Sequence, residues 1–296
     1  MPHVLRTNDL EISIDEPNEG YQGTRFDWSG KLTSILFQGM PLTTFEKQDS
    51  RTAGDFGKAC YNEFGIDTPL GFEEAEIGGW FHKIGIGLLR KQKDSYFFSD
   101  DFELRPCGFK VKKAKEGMVI NCSAPVCNGY AYELTKEIKL FEKGFEIHYH
   151  LLNTGDKAIQ TDEYCHNFLA FAHGPIDESY VLQFAERLDP RGFNELVNPN
   201  GVTIFKGKEL HFKTTPTSEI FFSNITQGKH TGAEWHLYHR SYQIILQEKG
   251  NFQTDKINVW GSGHVISPEL FFKIDIAPGQ NRRWKRQYLL FRDKGN

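Results

Sequence analysis

Residues 145–152 read Phe145-Glu146-Ile147-His148-Tyr149-His150-Leu151-Leu152, with apolar and polar side chains in nearly regular alternation. Because successive side chains of a strand point to opposite faces, this period predicts a half-buried β strand. The following Asn153-Thr154-Gly155-Asp156 combines residue types that favour a tight turn. We therefore predict that the next strand begins near Ala158-Ile159 and lies in the same sheet.

Similar runs recur along the chain at about the eight-to-twelve-residue spacing of all-β proteins. Helical periodicity is almost absent, and the best candidate for a helix is a short one near residues 73–75. The pattern predicts an antiparallel β-sandwich or barrel, and we favour one large β-sandwich domain over residues 1–296. The predicted strands are 32–37, 96–98, 118–122, 130–141, 144–152, 159–171, 180–184, 220–222, 242–247, 256–260, 270–276 and 284–291.

The composition is that of a globular protein, with 39% apolar and 25% charged residues. A net charge of −4 and the lack of a concentrated basic segment argue against a nucleic-acid-binding surface. The first residues contain no apolar signal core, and no apolar run reaches the length of a membrane span. Five cysteines at irregular spacing predict reduced thiols, so we expect a cytoplasmic protein with no membrane partner.

Residues 161–168 depart from this plain alternation, because Thr161-Asp162-Glu163-Tyr164-Cys165-His166-Asn167-Phe168 crowds polar groups into one predicted strand. A histidine held on a rigid strand beside carboxylates can be tuned toward neutrality, which makes His166 a candidate proton donor or acceptor. In an unbroken strand Asp162 and Tyr164 share its face. Glu163 and Cys165 would face the other way, which disfavours a Cys–His nucleophilic pair.

Glu269 is the second acid–base candidate. It lies at the start of the apolar run 270–274 and directly follows Pro268. Partial burial would raise the pKa of this carboxyl and make it a usable base near neutral pH. The alternative is a carboxylate at a strand edge that pairs with a nearby lysine or arginine.

Several segments together resemble the galactose mutarotase (aldose 1-epimerase) superfamily, in its divergent branches. His166-Asn167-Phe168 resembles the strand whose histidine protonates the sugar ring oxygen in that family, and Glu269 occupies the place of the family's base glutamate. The segment Ala277-Pro278-Gly279-Gln280, with Trp284 and Tyr288 after it, is similar to the family's closing strands. The resemblance implies a large antiparallel β-sandwich of the supersandwich type.

Two further segments carry the resemblance more loosely. Gly79-Trp80-Phe81-His82-Lys83 stands where relatives have a His-Gly-Phe-Ala-Arg-like segment, so Lys83 replaces a binding arginine, and the upstream histidine becomes Gly79 unless His82 substitutes for it. Arg25-Phe26-Asp27-Trp28 is similar to an early active-site loop. Arg25, His82 and Lys83 are therefore candidates for binding sugar hydroxyls or an anionic group. Their alternative role is to cap loops and pair with neighbouring carboxylates.

Trp260 could stack on a pyranose ring, although a tryptophan in a strand is more often part of the core. Asp162 and Tyr164, on the predicted His166 face, complete the set of candidate substrate-binding residues. His236 and His239 have a spacing that suggests a metal site, but on a strand they point to opposite faces and no third ligand follows. We therefore predict no metal and no organic cofactor.

The resemblance implies an enzyme of the aldose 1-epimerase type that interconverts sugar anomers, with Glu269 as base and His166 as acid. Its ligand would be a sugar or sugar derivative, and the sequence indicates neither a nucleic acid partner nor an oligomeric state. The first alternative is a carbohydrate-binding β-sandwich without catalysis. A sandwich domain associated with a lyase or hydrolase is the second alternative.

Overall fold

The computed structural model describes residues 2–48 and 56–293, whose regular structure is almost entirely β strand. No helix within these ranges is long and apolar enough to cross a lipid bilayer. The strands are β1 His3–Arg6, β2 Leu10–Asp15, β3 Lys31–Phe37, β4 Met40–Pro41, β5 Cys60–Phe64, β6 Trp80–Lys83, β7 Gly87–Arg90, β8 Leu104–Pro106, β9 Gly108–Ala114, β10 Gly117–Ser123, β11 Tyr132–Phe141, β12 Gly144–Asn153, β13 Ile159–Asn167, β14 Tyr180–Phe184, β15 Glu195–Val197, β16 Thr203–Lys206, β17 Glu209–Phe212, β18 Ile220–Ser223, β19 Thr231–His239, β20 Ile244–Thr254, β21 Ile257–Ser262, β22 Val265–Leu270, β23 Phe272–Ile276 and β24 Asn281–Arg292. The 3₁₀ helices are Phe171–His173, Pro190–Gly192 and Pro199–Gly201.

Four antiparallel sheets contain these strands, which confirms the all-β sandwich prediction. The larger two are a ten-stranded sheet of order β16-β17-β14-β19-β20-β24-β12-β11-β10-β9 and a seven-stranded sheet of order β1-β2-β3-β5-β13-β23, in which β4 pairs with β3. A four-stranded sheet has the order β15-β18-β21-β22, and a three-stranded sheet has the order β6-β7-β8. Residues 73–75, where a short helix was expected, form a turn.

The core lies between the two large sheets because their strands alternate in burial. In β12, Phe145, Ile147, Tyr149 and Leu151 point inward and are at most 2% exposed. They belong to one apolar cluster with residues of β2 and β3 in the opposite sheet, including Ile12. This alternation is the one that the sequence pattern predicted for residues 145–152.

The strand that follows the 153–156 turn does not lie in the same sheet as β12, so that prediction was wrong. β13 pairs with β5 and β23 of the seven-stranded sheet, whereas β12 pairs with β11 and β24 of the ten-stranded one. The Asn153 side chain donates to the carbonyl oxygens of Lys157 (2.8 Å) and Ile276 (2.9 Å), which fixes a crossing between sheets. Turn-forming residue types alone do not distinguish such a crossing from a hairpin.

The strand predictions also had local errors. Residues 96–98 form no strand, and the Tyr96 ring packs against Phe72, Phe81 and Phe102 in a small aromatic cluster. Several strands, among them β2, β9 and β19, lie outside every predicted range. Aromatic residues concentrate both in strands and in packed loops, so they do not separate the two.

Candidate active site

A cleft of about 820 Å³ opens beside the sheet that carries β13 and the sheet that carries β22. Its wall brings together segments distant in the chain: residues 21–26, β13, β18, β21 and β22. Among the predicted site residues, its lining contains Arg25, Tyr164, His166, Trp260 and Glu269.

β13 presents alternate residues to the cleft and to the core. Tyr164 and His166 line the cleft, as the alternation of the strand requires. Glu163, on the other face, accepts a charged hydrogen bond from Arg286 in the ten-stranded sheet (Nη2–Oε2 2.7 Å). Asn167 donates from Nδ2 to the carboxylate of Glu248 at 3.0 Å. The core side of β13 is thus tied across the sandwich by buried polar groups, which limits the movement of His166.

Glu269 reaches the same cleft from β22. Leu169, just after β13, forms a bridge with Ile266 of β22, with backbone N···O distances of 3.1 and 3.0 Å. This bridge brings Nε2 of His166 to 3.3 Å from Oε1 of Glu269. Both residues are 4% exposed, so the pair lies at the deep end of the cleft.

Ser267 contacts both members of the pair and was not among the predicted site residues. Its Oγ lies 2.9 Å from Nδ1 of His166 and 3.3 Å from Oε1 of Glu269, and it accepts a hydrogen bond from the backbone N–H of Asn167 at 3.0 Å. Ser267 is fully buried. The sequence signal was its position two residues before Glu269, which places it on the same face of the strand.

Burial shifts the pKa values of both Glu269 and His166 away from their usual values. It raises the pKa of Glu269 to about 8, against a smaller opposing effect of Arg25. Burial also lowers the pKa of His166 well below its usual value, and the positive charge of Arg25 lowers it further. Near neutral pH the pair therefore holds one dissociable proton, which resides on Glu269 in the ligand-free site.

Arg25 lies in the cleft wall, where it joins a buried ionic cluster. It donates to Glu63 from Nε (2.9 Å), to Glu46 from Nη1 (2.9 Å) and to Tyr164 Oη from Nη2 (3.3 Å). The Tyr164 hydroxyl in turn donates to Glu63 at 2.7 Å. Two predicted binding residues are therefore linked through Glu63, a carboxylate that was not among the predicted site residues.

Lys83 and His82 do not line the cleft. Lys83 is 1% exposed and donates to Oε1 of Glu63 at 3.0 Å and to the Gly65 carbonyl at 3.1 Å. Nε2 of His82 lies 3.1 Å from the Tyr130 carbonyl, and burial lowers the pKa of this histidine to about 4. The structure thus gives both residues contacts inside the fold.

Asp162 is also absent from the lining of the cleft, although it precedes Tyr164 on the same strand. Burial raises its pKa, and its Oδ1 has no hydrogen-bond partner in the part of the chain that the structure describes. Trp260, by contrast, lines the cleft and packs edge-on against the His166 ring, with 5.4 Å between ring centroids.

An aromatic shell surrounds the imidazole of His166. Phe168 stacks on it at 4.1 Å between centroids, and Phe26 packs edge-on at 6.1 Å. These rings cover one side of the histidine and keep water away from it, which contributes to its burial. Within residues 2–48 and 56–293, no group of three His, Cys, Asp or Glu side chains is arranged to hold a metal ion.

No protein-family model matches the sequence, and no curated protein matches it. Solved structures do match the fold. A candidate aldose 1-epimerase from Escherichia coli K12 superposes with a TM-score of 0.63 at 9% identity, covering 99% of each chain. A galactose mutarotase-like protein from Lactobacillus casei gives 0.61 at 12% identity, over 98% of this chain and 100% of its own.

A GalM/aldose epimerase homologue from C. elegans superposes with a TM-score of 0.54 at 11% identity, again over 99% of each chain. At such identities the likeness concerns the fold and not the reaction. Over nearly its whole length, this chain has the galactose mutarotase-like β-sandwich fold that the sequence resemblance predicted.

Proposed function

We propose that this protein is a sugar isomerase of the aldose 1-epimerase type, which interconverts the anomers of a pyranose without a cofactor. The observation that carries the proposal is the contact of 3.3 Å between Nε2 of His166 and Oε1 of Glu269 in the wall of the cleft. The ring oxygen and the anomeric hydroxyl of a pyranose are bonded to the same carbon. An acid and a base that serve them must therefore be close neighbours.

The reaction needs two coupled proton transfers. Glu269 as carboxylate removes the proton of the anomeric hydroxyl, while His166 as imidazolium gives its Nε2 proton to the ring oxygen. The bond between the anomeric carbon and the ring oxygen breaks, and the open-chain aldehyde forms. Rotation about C1–C2 presents the other carbonyl face, and the reversed transfers close the ring. Each positioned acid or base contributes about 10²–10⁴-fold in typical enzymes.

The lining of the cleft supports a sugar as ligand. Trp260 offers a partly exposed indole for stacking on a pyranose face, and Phe98 and Phe221 provide further rings in the same wall. Arg25 and Tyr164 supply polar groups near the pair. Lys83 is neutralised by Glu63, so the cleft gains no free positive charge from it for binding a phosphate or uronate.

The free cysteines favour the cytoplasm as the compartment.

The proposal is tested by adding the protein to freshly dissolved single anomers of a panel of sugars. Polarimetry, or NMR exchange between the anomeric signals, should show interconversion faster than the spontaneous rate for at least one sugar. We expect His166→Ala and Glu269→Gln to reduce this acceleration by about 10²–10⁴-fold because each removes one proton-transfer group.

A matched control is available in β17. His211 and Glu209 form a similar pair outside the cleft (Nε2–Oε2 2.8 Å), so His211→Ala and Glu209→Gln should leave the acceleration unchanged. Saturable sugar binding with no acceleration across the panel would contradict the enzyme proposal. That outcome would favour the alternative, a carbohydrate-binding sandwich.

A further inference from the structure

The ligand-free pair carries its proton on the wrong member for the proposed reaction. A pyranose requires His166 as imidazolium and Glu269 as carboxylate, whereas burial of both groups favours neutral His166 and protonated Glu269. The two states contain the same number of protons. Conversion therefore needs no exchange with solvent, only a route from the carboxyl to the imidazole.

The hydroxyl of Ser267 supplies such a route. A serine hydroxyl has one hydrogen and two lone pairs, and the Asn167 N–H occupies one lone pair. One hydrogen and one lone pair remain for two neighbours, Nδ1 of His166 at 2.9 Å and Oε1 of Glu269 at 3.3 Å. Whichever neighbour receives the hydrogen, the other can donate to the oxygen.

These contacts allow two complementary arrangements. With protonated Glu269, its O–H donates to Ser267 Oγ, and the Ser267 hydrogen points to Nδ1 of a neutral His166 that is protonated at Nε2. With ionised Glu269, the Ser267 hydrogen points to Oε1, and an Nδ1–H donates to Oγ. If each hydrogen moves one step, Glu269 loses one proton, Ser267 stays neutral and His166 becomes imidazolium.

We propose that Ser267 is a positioning residue that relays a proton between Glu269 and His166 and so prepares the pair for a pyranose. This inference rests on the proposed function. With hydrogen at Nε2, the direct contact between Nε2 and Oε1 cannot take over the role, and ¹⁵N NMR of the ring distinguishes this tautomer from the one with hydrogen at Nδ1. In the neutral tautomer that accepts from Ser267, Nε2 already bears the hydrogen that the ring oxygen must receive, so only Nδ1 can accept another proton.

The charged groups around the pair determine whether the proton resides on Glu269 or on His166. Arg25 favours the ionised form of Glu269 and disfavours imidazolium at His166, Glu63 acts on Glu269 in the opposite sense, and Lys256 lowers the pKa of Glu269. The Tyr164 phenol faces the same region, and burial raises its pKa, so it stays neutral. Within this setting the relay moves the proton from Glu269 to His166 without taking one from solvent.

The test compares Ser267→Ala with Ser262→Ala. Ser262 makes a similar contact with His264 (Oγ–Nδ1 2.9 Å) in the same sheet but outside the lining of the cleft. We expect Ser267→Ala to lower kcat by about 10²-fold with KM changed less than about twofold, at the lower end of an acid–base effect. Ser262→Ala should match the wild type. Ser267→Cys, which keeps a weak donor of similar size, should fall between the two and replaces Ser267→Ala if that variant fails to fold.

A second readout does not depend on turnover. In ¹⁵N NMR at neutral pH, the His166 ring of the wild type should show one tautomer, with hydrogen at Nε2, and Ser267→Ala should show a mixture. A kcat within twofold of the Ser262→Ala value overturns the relay, as does loss of kcat with an unchanged tautomer. A wild type inactive on every sugar instead overturns the proposed function.

Discussion

Glu63 and Glu269 are two buried carboxylates that differ in the charges around them. Glu63 is bonded to Arg25, Lys83 and Tyr164, whereas Glu269 is contacted by Ser267 and His166. Burial alone would raise the pKa of both groups. At Glu63 the charges of Lys83 and Arg25 outweigh burial and lower the pKa, while at Glu269 burial prevails and raises it to about 8.

The difference in surrounding charge indicates different roles for Glu63 and Glu269. A carboxylate neutralised by two cations stays ionised and holds elements of the fold together. A carboxylate buried without such cations binds and releases a proton near neutral pH, as acid–base chemistry requires. The buried positive charges near the cleft are used to support Glu63, and this arrangement leaves Glu269 free to titrate.

The largest expected effect is on folding and comes from Glu63→Gln. The substitution leaves Arg25 and Lys83 without the carboxylate that compensates their charges. Breaking a buried ion pair in this way costs about 3–5 kcal/mol of unfolding free energy. Urea denaturation at pH 7 would measure it. Glu269→Gln is the matched control, and an equal loss in both variants would contradict the division of roles.

The second prediction concerns stability as a function of pH. The pKa of Glu269 is raised in the folded state, so between about 4.5 and 8 the unfolded chain binds fewer protons than the folded one. Stability from this group is present below pH 4.5 and is lost as pH rises, by up to about 1.4 kcal/mol per pH unit. Glu269→Gln should therefore become more stable relative to wild type from pH 5 to pH 8. A pH-independent difference in unfolding free energy would show that Glu269 titrates normally.

The smallest expected effect is the change of kcat/KM with pH. The pair needs one proton for turnover and loses it as pH rises through the pKa of about 8. We expect kcat/KM for anomer exchange to be level near pH 7 and to fall about tenfold per unit above pH 8. Polarimetry across pH 6–10, corrected for the spontaneous reaction, measures it. A rate that continues to rise above pH 9 would exclude Glu269 as the titrating group.

The sequence predicted the fold class because local signals were strong, and the structure places the two candidate acid–base residues in one cleft. The period of residues 145–152 identified strands, and the resemblance directed attention to His166 and Glu269. Lys83 illustrates what could not be predicted. Its environment depends on Glu63, which lies in another sheet, and no local pattern indicates that contact.

The prediction that the strand after β12 stays in the same sheet failed for a related reason. The residue types of 153–156 specify a turn, but the sheet that accepts β13 is determined by its pairing with β5 and β23. Ser267 was missed because its one sequence signal, the spacing of two residues to Glu269, does not by itself indicate a contact with His166. Only its distances to His166 and Glu269 distinguish it from other serines.

The bridge between Leu169 and Ile266 has a consequence for the dynamics of the site. His166 belongs to the seven-stranded sheet and Glu269 to the four-stranded one, and this bridge joins their strands next to the pair. If this junction opens together with the hydrogen bonds from Asn167 to Ser267 and Pro268, His166 and Glu269 separate even while the ten-stranded sheet stays folded. Local opening of this kind would end the contact between His166 and Glu269, and the deuterium exchange rates of the Leu169 and Ile266 amides would report it.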